Sequence, residues 1–423
     1  MGSVVEIKPL TRVEGHGSLK LFFDGRQAER VELCLTDSPR LFEALLVGKR
    51  YREVPDIVCR ICSLCSTIHK VTAVAAVERA FGIEVTGETR LSRELITCGG
   101  MLQDHALHLY CLLLPDLMGQ RGVTGLASEA PEILQSGLRI KRVGNLIQET
   151  VGGRLIHPVN ITVGGLGQRV GRDALLRLKE ELLAIIPECR QCYRLFRRSF
   201  PFPQLPRPEF LALEPSPTPI AGELLHMSNG TVFAIESYRE HVVETVLPYS
   251  YAKHARVNGA EPTVGALSRL NLGAALAAEP RTLFAKVRDD LVGHDIRANS
   301  LAQAVELYQA AERSLQVIDA LLELGREGEC CRKITPSAGR GCAASEAPRG
   351  VLIHSYSFDE EGYCTEADVI TPTSLNQGAL ARDLLALARA MEGADEAEMR
   401  KALEHLVRCY DPCISCSVHL LQL

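Results

Sequence analysis

Two short stretches near opposite ends of the chain carry the residues best suited to chemistry. Residues 60–69 (R-I-C-S-L-C-S-T-I-H) hold Cys62 and Cys65 at C-x-x-C spacing, with His69 four residues after the second. Residues 411–419 (D-P-C-I-S-C-S-V-H) repeat the pattern with Cys413, Cys416 and His419. C-x-x-C lets two thiolates from one tight turn reach a single metal ion, so two such turns supply four sulfur ligands. The pairs of a zinc ribbon lie roughly 15–20 residues apart, whereas here nearly the whole chain intervenes. A metal held by both pairs would tie the chain ends together at the centre of the fold, which favours one domain over residues 1–423. Spacing alone leaves structural zinc and a redox metal both open.

The flanking residues break that tie. R-I-C-x-x-C-x-x-x-H and D-P-C-x-x-C-x-x-H join R-V-E-G-H (residues 12–16) and E-A-P-R-G (residues 346–350). Together, and in this order, these motifs resemble the large subunit of nickel–iron hydrogenases from Thr11 to the C-terminus. C-S-x-C-S and the D-P-C-I-S-C-S-V-H ending look like the cytoplasmic, bidirectional NADP-linked branch, the sulfhydrogenase alpha subunits. The resemblance implies an α+β, predominantly α fold, with a helical core, a small N-terminal β-sheet and a short β-hairpin near the C-terminal third.

It also implies roles. Cys62 and Cys413 would be terminal ligands of nickel; Cys65 and Cys416 would bridge to an iron carrying carbon monoxide and cyanide. Glu14 would relay protons, and Arg349 would overhang the vacant position between the metals. Asp104 would share that canopy, and Asp411, which opens the C-terminal motif, would belong to the catalytic set. His69 would hydrogen-bond a bridging sulfur, and Thr373 would donate to a cyanide. Glu43 and His419 would hold Mg2+, which prefers carboxylate and water. Dihydrogen would be split heterolytically. Electrons would leave through a small subunit with iron–sulfur clusters, then through further iron–sulfur and FAD subunits to NADP. A maturation protease acting after nickel insertion would remove residues 420–423. Two other readings stay open: a hydrogenase coupled to a deazaflavin or heterodisulfide acceptor, and a zinc-holding scaffold.

Composition is consistent with a soluble globular chain. It is 46% hydrophobic and 23% charged, ordinary for a globular fold. A net charge of −5 argues against a nucleic-acid surface. No apolar run approaches the roughly 18 residues of a membrane span, and no signal peptide opens the chain. Fifteen cysteines without an export signal point to a reduced, cytoplasmic compartment in which thiols serve metals.

The elements that position these residues are expected as follows. Residues 4–7, 18–23 and 30–35 read as strands, with Asp24-Gly25 as a hairpin turn. Glu14 precedes the hairpin, and Glu43 falls on a short amphipathic helix. Residues 68–81 have helical periodicity ending at Gly82; Cys59, just before the motif, reads as packing. Residues 91–114 read as one helix ending before Pro115 and weakened at Gly99-Gly100. Residues 173–198, kinked at Pro187, and 299–324 read as helices, with Cys189 and Cys192 packed inside the first. Seven prolines in residues 199–219 predict an extended surface crossing. G-R-G-C-A-A (residues 339–344) is nominally a dinucleotide fingerprint, but neighbouring prolines deny it the required strand and helix. Residues 351–358 and 363–370 read as a strand pair, followed by a loop carrying Thr373. Helices over 376–391 and 395–409 deliver the chain to Asp411.

Overall fold

The computed structural model describes residues 3–38, 41–197, 202–216, 222–324 and 330–417. His419 and the expected removable tail lie outside them. The chain opens with an antiparallel sheet of Ser3–Ile7, Gly17–Asp24 and Gln27–Leu35 in sequential order. Glu43 sits on the short helix Phe42–Leu46, as its pattern predicts, but is buried.

The helix Ser66–Ala80 begins with Cys65 as its N-cap and is buried along almost its whole length. A helix buried on every side belongs in a core. Packed on it is an antiparallel sheet of Gly339–Ala347, Gly350–Phe358 and Cys364–Ile370. The expected hairpin is therefore a three-stranded sheet. Its first strand is poor in β-branched residues and carries no strand signal. Close approach explains it: a Cβ on Gly341 would lie 2.0 Å from the Ala76 carbonyl oxygen, and one on Gly339 2.5 Å from that of Ala80. The nominal fingerprint glycines thus let a strand run against a helix backbone.

Along Gly350–Phe358, Val351 and Ile353 join an apolar cluster with Leu211, Leu225 and Val257. Leu352, Tyr356 and Phe358 point the other way, into the main helical core. This is the two-residue alternation of a strand covered on both faces.

The remaining core is helical. Gly87–Ala106 crosses Pro131–Gly152 at the glycines, where a Cβ on Gly144 would meet the Gly99 carbonyl oxygen at 2.6 Å. Gly99 is therefore a contact point of two helices. Beyond Ala106 the backbone does not stop before Pro115. It becomes π-helical over Leu107–Leu113 and restarts as Leu114–Leu117, with Pro115 in the first turn. The altered register leaves the proline where no helical N–H is required. Arg172–Phe196 and Asn299–Glu323 are continuous helices. Cys189 and Cys192 are buried side chains of the first, as expected. The predicted crossing contains a strand, Leu211–Leu213, among its described residues. Thr373 lies in the first turn of the helix Pro372–Ala390, not in a loop. Thr371 caps that helix by accepting from Ser374 N, with Pro372 next. Glu396–Cys409 then leads to the C-terminal motif. No helix among the described residues is long and apolar enough to cross a membrane.

Candidate metal centre

Cys62 sits in the turn before the helix Ser66–Ala80, and Cys65 caps that helix. Cys413 immediately precedes the short helix Ile414–Ser417, and Cys416 lies within it. The four ligand sulfurs lie within 4.8 Å of one another, and all four residues are buried. Cys413 Sγ is 3.4 Å from Cys62 Sγ, 3.8 Å from Cys65 Sγ and 2.7 Å from Cys416 Sγ. Donation from Cys413 pulls the Cys62 thiol well below its ordinary pKa, while burial holds Cys413 and Cys416 well above theirs. Four thiols this close cannot all ionise alone, whereas a bound cation lets them.

The N-terminal motif reaches this cluster through backbone pairing. Ile414 N donates to the Glu14 carbonyl oxygen at 3.0 Å, and Ser415 N donates to Glu14 Oε2 at 3.1 Å. Burial first, and then the Cys62 charge, raise the Glu14 carboxyl above its usual value. Arg12 of the same motif fixes the loop from behind: it pairs with Asp116 and donates to the Leu112 carbonyl at 2.8 Å. Arg408 joins Asp116 at 2.7 Å and Thr11 O at 3.0 Å. The first and last motifs are thus clamped to the π-helical bend.

Arg349 occupies the two-residue turn between strands Gly339–Ala347 and Gly350–Phe358. Its Nη1 lies 3.4 Å from Cys65 Sγ and 2.9 Å from Asp104 Oδ1. Nε donates to the Asp411 carbonyl oxygen at 2.9 Å, and Nη2 is 3.1 Å from Asp411 Oδ1. Burial pushes both carboxyls upward. Arg349, with His108, His105 and Gln303, outweighs that for Asp411, which ends below its ordinary value; for Asp104 Arg349 only opposes it, and that carboxyl stays raised. Asp411 itself has φ +49°, a left-handed conformation that aspartate tolerates better than most side chains. Both Asp104 carboxylate oxygens and Arg349 Nη2 are buried without a well-aligned hydrogen-bond partner among the described residues. Native interiors rarely leave such groups unmatched. Polar atoms held by ion-pair contacts but lacking an aligned hydrogen bond, beside four clustered thiols, fit an additional group seated between them.

Thr373 Oγ1 accepts from Cys413 N at 3.0 Å, which leaves the hydroxyl hydrogen to be donated elsewhere. His69 Nε2 is 3.7 Å from Cys416 Sγ. The structure thus gathers Cys62, Cys65, Cys413, Cys416, Glu14, His69, Asp104, Arg349, Thr373 and Asp411. Glu43 is bound elsewhere. Its Oε1 accepts from Lys253 Nζ at 3.0 Å and from Val369 N at 2.8 Å, and burial lifts its carboxyl to about 7. Lys253 also pairs with Glu244 at 2.5 Å.

Several residues that hold the site carry no sequence signal. Arg269 is buried and pairs with Glu306 at 2.5 Å and with Glu346 at 2.7 Å. It also donates to the carbonyl oxygens of Ala347 and Pro348, each at 3.0 Å. It therefore grips the three residues before Arg349 and sets where the guanidinium turn projects. Gln303 Nε2 donates to Asp411 Oδ2 at 2.9 Å, and His108 lies 2.6 Å from Gln303 Oε1.

A family model described as nickel-dependent hydrogenase matches residues 40–123 and 222–419, spans that include both cysteine pairs. The chain belongs to the nickel-dependent hydrogenase family. A second model, described as HoxL-like, matches residues 4–31. The alpha chain of sulfhydrogenase 2 from Pyrococcus furiosus is 36% identical, over 99% of this chain and 100% of that protein. A vhu F420-non-reducing hydrogenase chain of Methanocaldococcus jannaschii is 31% identical, over 89% of this chain and 96% of its own length. Among solved structures, an NAD+-reducing [NiFe]-hydrogenase in the H2-reduced state superposes with a TM-score of 0.88 and 27% identity, covering 99% of both chains. The Ni-Fe-Se hydrogenase of D. vulgaris Hildenborough shares the fold, with a TM-score of 0.82 over 99% of this chain and 100% of that one, at 20% identity. This hydrogenase chain is thus a large, catalytic subunit of an oxidoreductase.

Proposed function

We propose that Cys62 and Cys413 bind nickel alone, that Cys65 and Cys416 bridge nickel and iron, and that the centre cleaves dihydrogen reversibly. The observation that carries this is four buried, mutually adjacent thiol sulfurs under an Arg349–Asp104–Asp411 canopy with polar atoms lacking an aligned hydrogen bond. Thiolates suit nickel as soft ligands. Such a centre, with carbon monoxide and cyanide on iron, supplies the Lewis acidity and redox capacity for heterolytic cleavage.

The chain's own groups do the rest. Arg349 holds a fixed positive charge 3.4 Å from a bridging sulfur, where the bond being split is polarised in a water-excluded site. Its two aspartates fix its orientation. Cys413 Sγ takes the proton first, and Glu14 receives it next: a carboxyl raised by burial toward working pH can both accept and release it. Thr373, whose Oγ1 already accepts from Cys413 N, would have its hydroxyl hydrogen free to hold a cyanide on such an iron. The magnesium expectation has less support. Glu43 already pairs with Lys253 and His419 lies outside the described residues, so no step passes through that ion.

Electrons must leave the chain. Among the described residues, the four cysteines are the one metal-competent cluster. A small subunit with iron–sulfur clusters would take them, and FAD and iron–sulfur subunits would carry them to NADP. The likeness to sulfhydrogenase alpha chains supports this over a deazaflavin or heterodisulfide acceptor. Fifteen free thiols support a cytoplasmic location. Cys65→Ser is expected to lose nickel, iron and exchange of dihydrogen with heavy water together. Cys59→Ser, at a buried neighbour outside the cluster, should keep all three. Full nickel and exchange in the Cys65 variant would refute the assignment.

A further inference from the structure

From Cys416 a row of buried polar groups leads into the core. His69 Nε2 faces Cys416 Sγ at 3.7 Å, and His69 Nδ1 lies 3.0 Å from His354 Nε2. His354 Nδ1 is hydrogen-bonded to the Tyr356 hydroxyl. His354 and Tyr356 are two apart on the strand Gly350–Phe358, so both project toward the helix Ser66–Ala80 that carries His69. The three side chains are each 1% exposed or less. One turn further along, Thr72 Oγ1 and Ser345 Oγ hold the same helix and sheet together at 2.9 Å.

Counting hydrogens gives this row a direction. A neutral imidazole has one N–H and one acceptor nitrogen, so three contacts among four groups share three hydrogens. They can be ordered in two ways. In one, a Cys416 thiol donates to His69, His69 to His354, and His354 to the tyrosine oxygen. In the other, Tyr356 O–H donates to His354 Nδ1, His354 Nε2–H donates to His69 Nδ1, and His69 Nε2–H donates to Cys416 Sγ. A metal-bound thiolate has no hydrogen to give, so only the second ordering serves a loaded site. Burial, which holds the Tyr356 phenol well above its ordinary pKa, keeps the hydrogen that starts the series.

We propose that Tyr356 and His354 are positioning residues that fix the tautomer of His69 and so deliver an N–H to the bridging sulfur of Cys416. The proposal rests on the reading of Cys416 as a metal-bound thiolate. A hydrogen bond to a ligating sulfur withdraws electron density from the metals and tunes their potential. The relay thus makes a tyrosine two groups away from the sulfur a determinant of that potential.

The test is infrared spectroscopy of the assembled, metal-loaded enzyme with two substitutions of opposite sign. Tyr356→Phe removes the starting hydrogen. With nickel and iron content unchanged, the carbonyl band should move to lower wavenumber, because the sulfur becomes a stronger donor, and the midpoint potential should fall. Replacing Tyr356 alone by 3-fluorotyrosine keeps the hydroxyl but makes it a stronger donor, and the band should move to higher wavenumber. The fluorinated chain gives a reading even if Tyr356→Phe does not load metal. Bands that coincide with the parent in the fluorotyrosine enzyme, or that shift the same way in both, would overturn the relay. A metal-loaded parent with no carbonyl or cyanide bands would instead overturn the nickel–iron reading, and the relay with it.

Discussion

Replacing Arg269 by methionine tests whether the Arg349 turn is held from below. Arg269 is buried between two buried carboxylates, Glu306 at 2.5 Å and Glu346 at 2.7 Å, and also satisfies the Ala347 and Pro348 carbonyl oxygens. Methionine fills much of the aliphatic space but takes the charge partner from both carboxylates, leaving Glu306 with His105 Nε2 at 3.1 Å and Glu346 with the Leu213 N–H at 2.8 Å. Breaking a buried ion pair by removing one partner costs roughly 3–5 kcal/mol. Domains are stable by only about 5–15 kcal/mol, so a large part of the reserve would go. Burial raises the Glu306 carboxyl, and Arg269 together with His105 outweighs it to hold it at about 2. A depressed carboxylate stabilises the fold above its unfolded value and loses that contribution as pH falls through its folded value. The carboxyl left without Arg269 in the variant can instead be neutralised by protonation. The deficit of Arg269→Met relative to the parent should therefore be larger at pH 7 than at pH 5. Displacing the turn by about 1 Å would cost on the order of 10²-fold in rate. Denaturant titration of the assembled complex at both pH values, with turnover measured on the native fraction, reads both effects. Arg269→Met/Glu306→Met should be less destabilised than the sum of the single changes, since apolar replacement of a whole pair is often tolerated. Parent-like stability and turnover in Arg269→Met would refute the clamp.

Other outcomes follow from the same contacts. Glu14→Gln should keep its nickel and iron but slow hydrogen–deuterium exchange by roughly 10²–10⁴-fold, because the amide cannot relay a proton; unchanged exchange would remove Glu14 from the path. Glu43 and Glu244 are both pushed to about 7 by burial, against the pull of Lys253. Raised carboxyls stabilise the fold fully below their unfolded value, and that contribution is lost as pH rises through about 7. Stability should fall between pH 5 and 7, by about 1.4 kcal/mol per unit for each such group, and Glu43→Gln should flatten the slope; an unaltered slope in the variant would count against it. Gly341→Val should prevent the strand from seating on the helix, since even a Cβ would lie 2.0 Å from the Ala76 carbonyl oxygen. Recovery of a normally folded, metal-loaded chain would show that the sheet can shift without loss.

The centre was legible in the sequence where its residues sit inside short motifs. The two C-x-x-C turns could be read from their spacing, whereas Glu14 and Arg349 were placed only because R-V-E-G-H and E-A-P-R-G resemble the family's motifs. The residues that aim them could not be placed. Arg269, Gln303 and Glu306 lie in ordinary helical patterns, where a buried charge reads like an exposed one until its partner is known. His354 and Tyr356 look like members of an alternating strand. Three structural expectations failed for local reasons. Pro115 did not end a helix, because the π-helical stretch resets the register. Residues 339–347 formed a strand despite weak β propensity, because glycines there let backbones touch; such propensity depends on what the strand packs against. Thr373 entered a helix because Thr371 and Pro372, which resemble loop residues in sequence, form its cap and first turn.

The central claim is that Cys62, Cys65, Cys413 and Cys416 hold nickel and an iron bearing diatomic ligands. An infrared spectrum of the assembled, metal-loaded complex, between the amide and C–H regions, tests it most directly. The account predicts carbonyl and cyanide stretches there, which shift when the enzyme is placed under dihydrogen and disappear in Cys65→Ser. A fully metal-loaded preparation that is blank in that window, with zinc in the four-thiolate site, would contradict it.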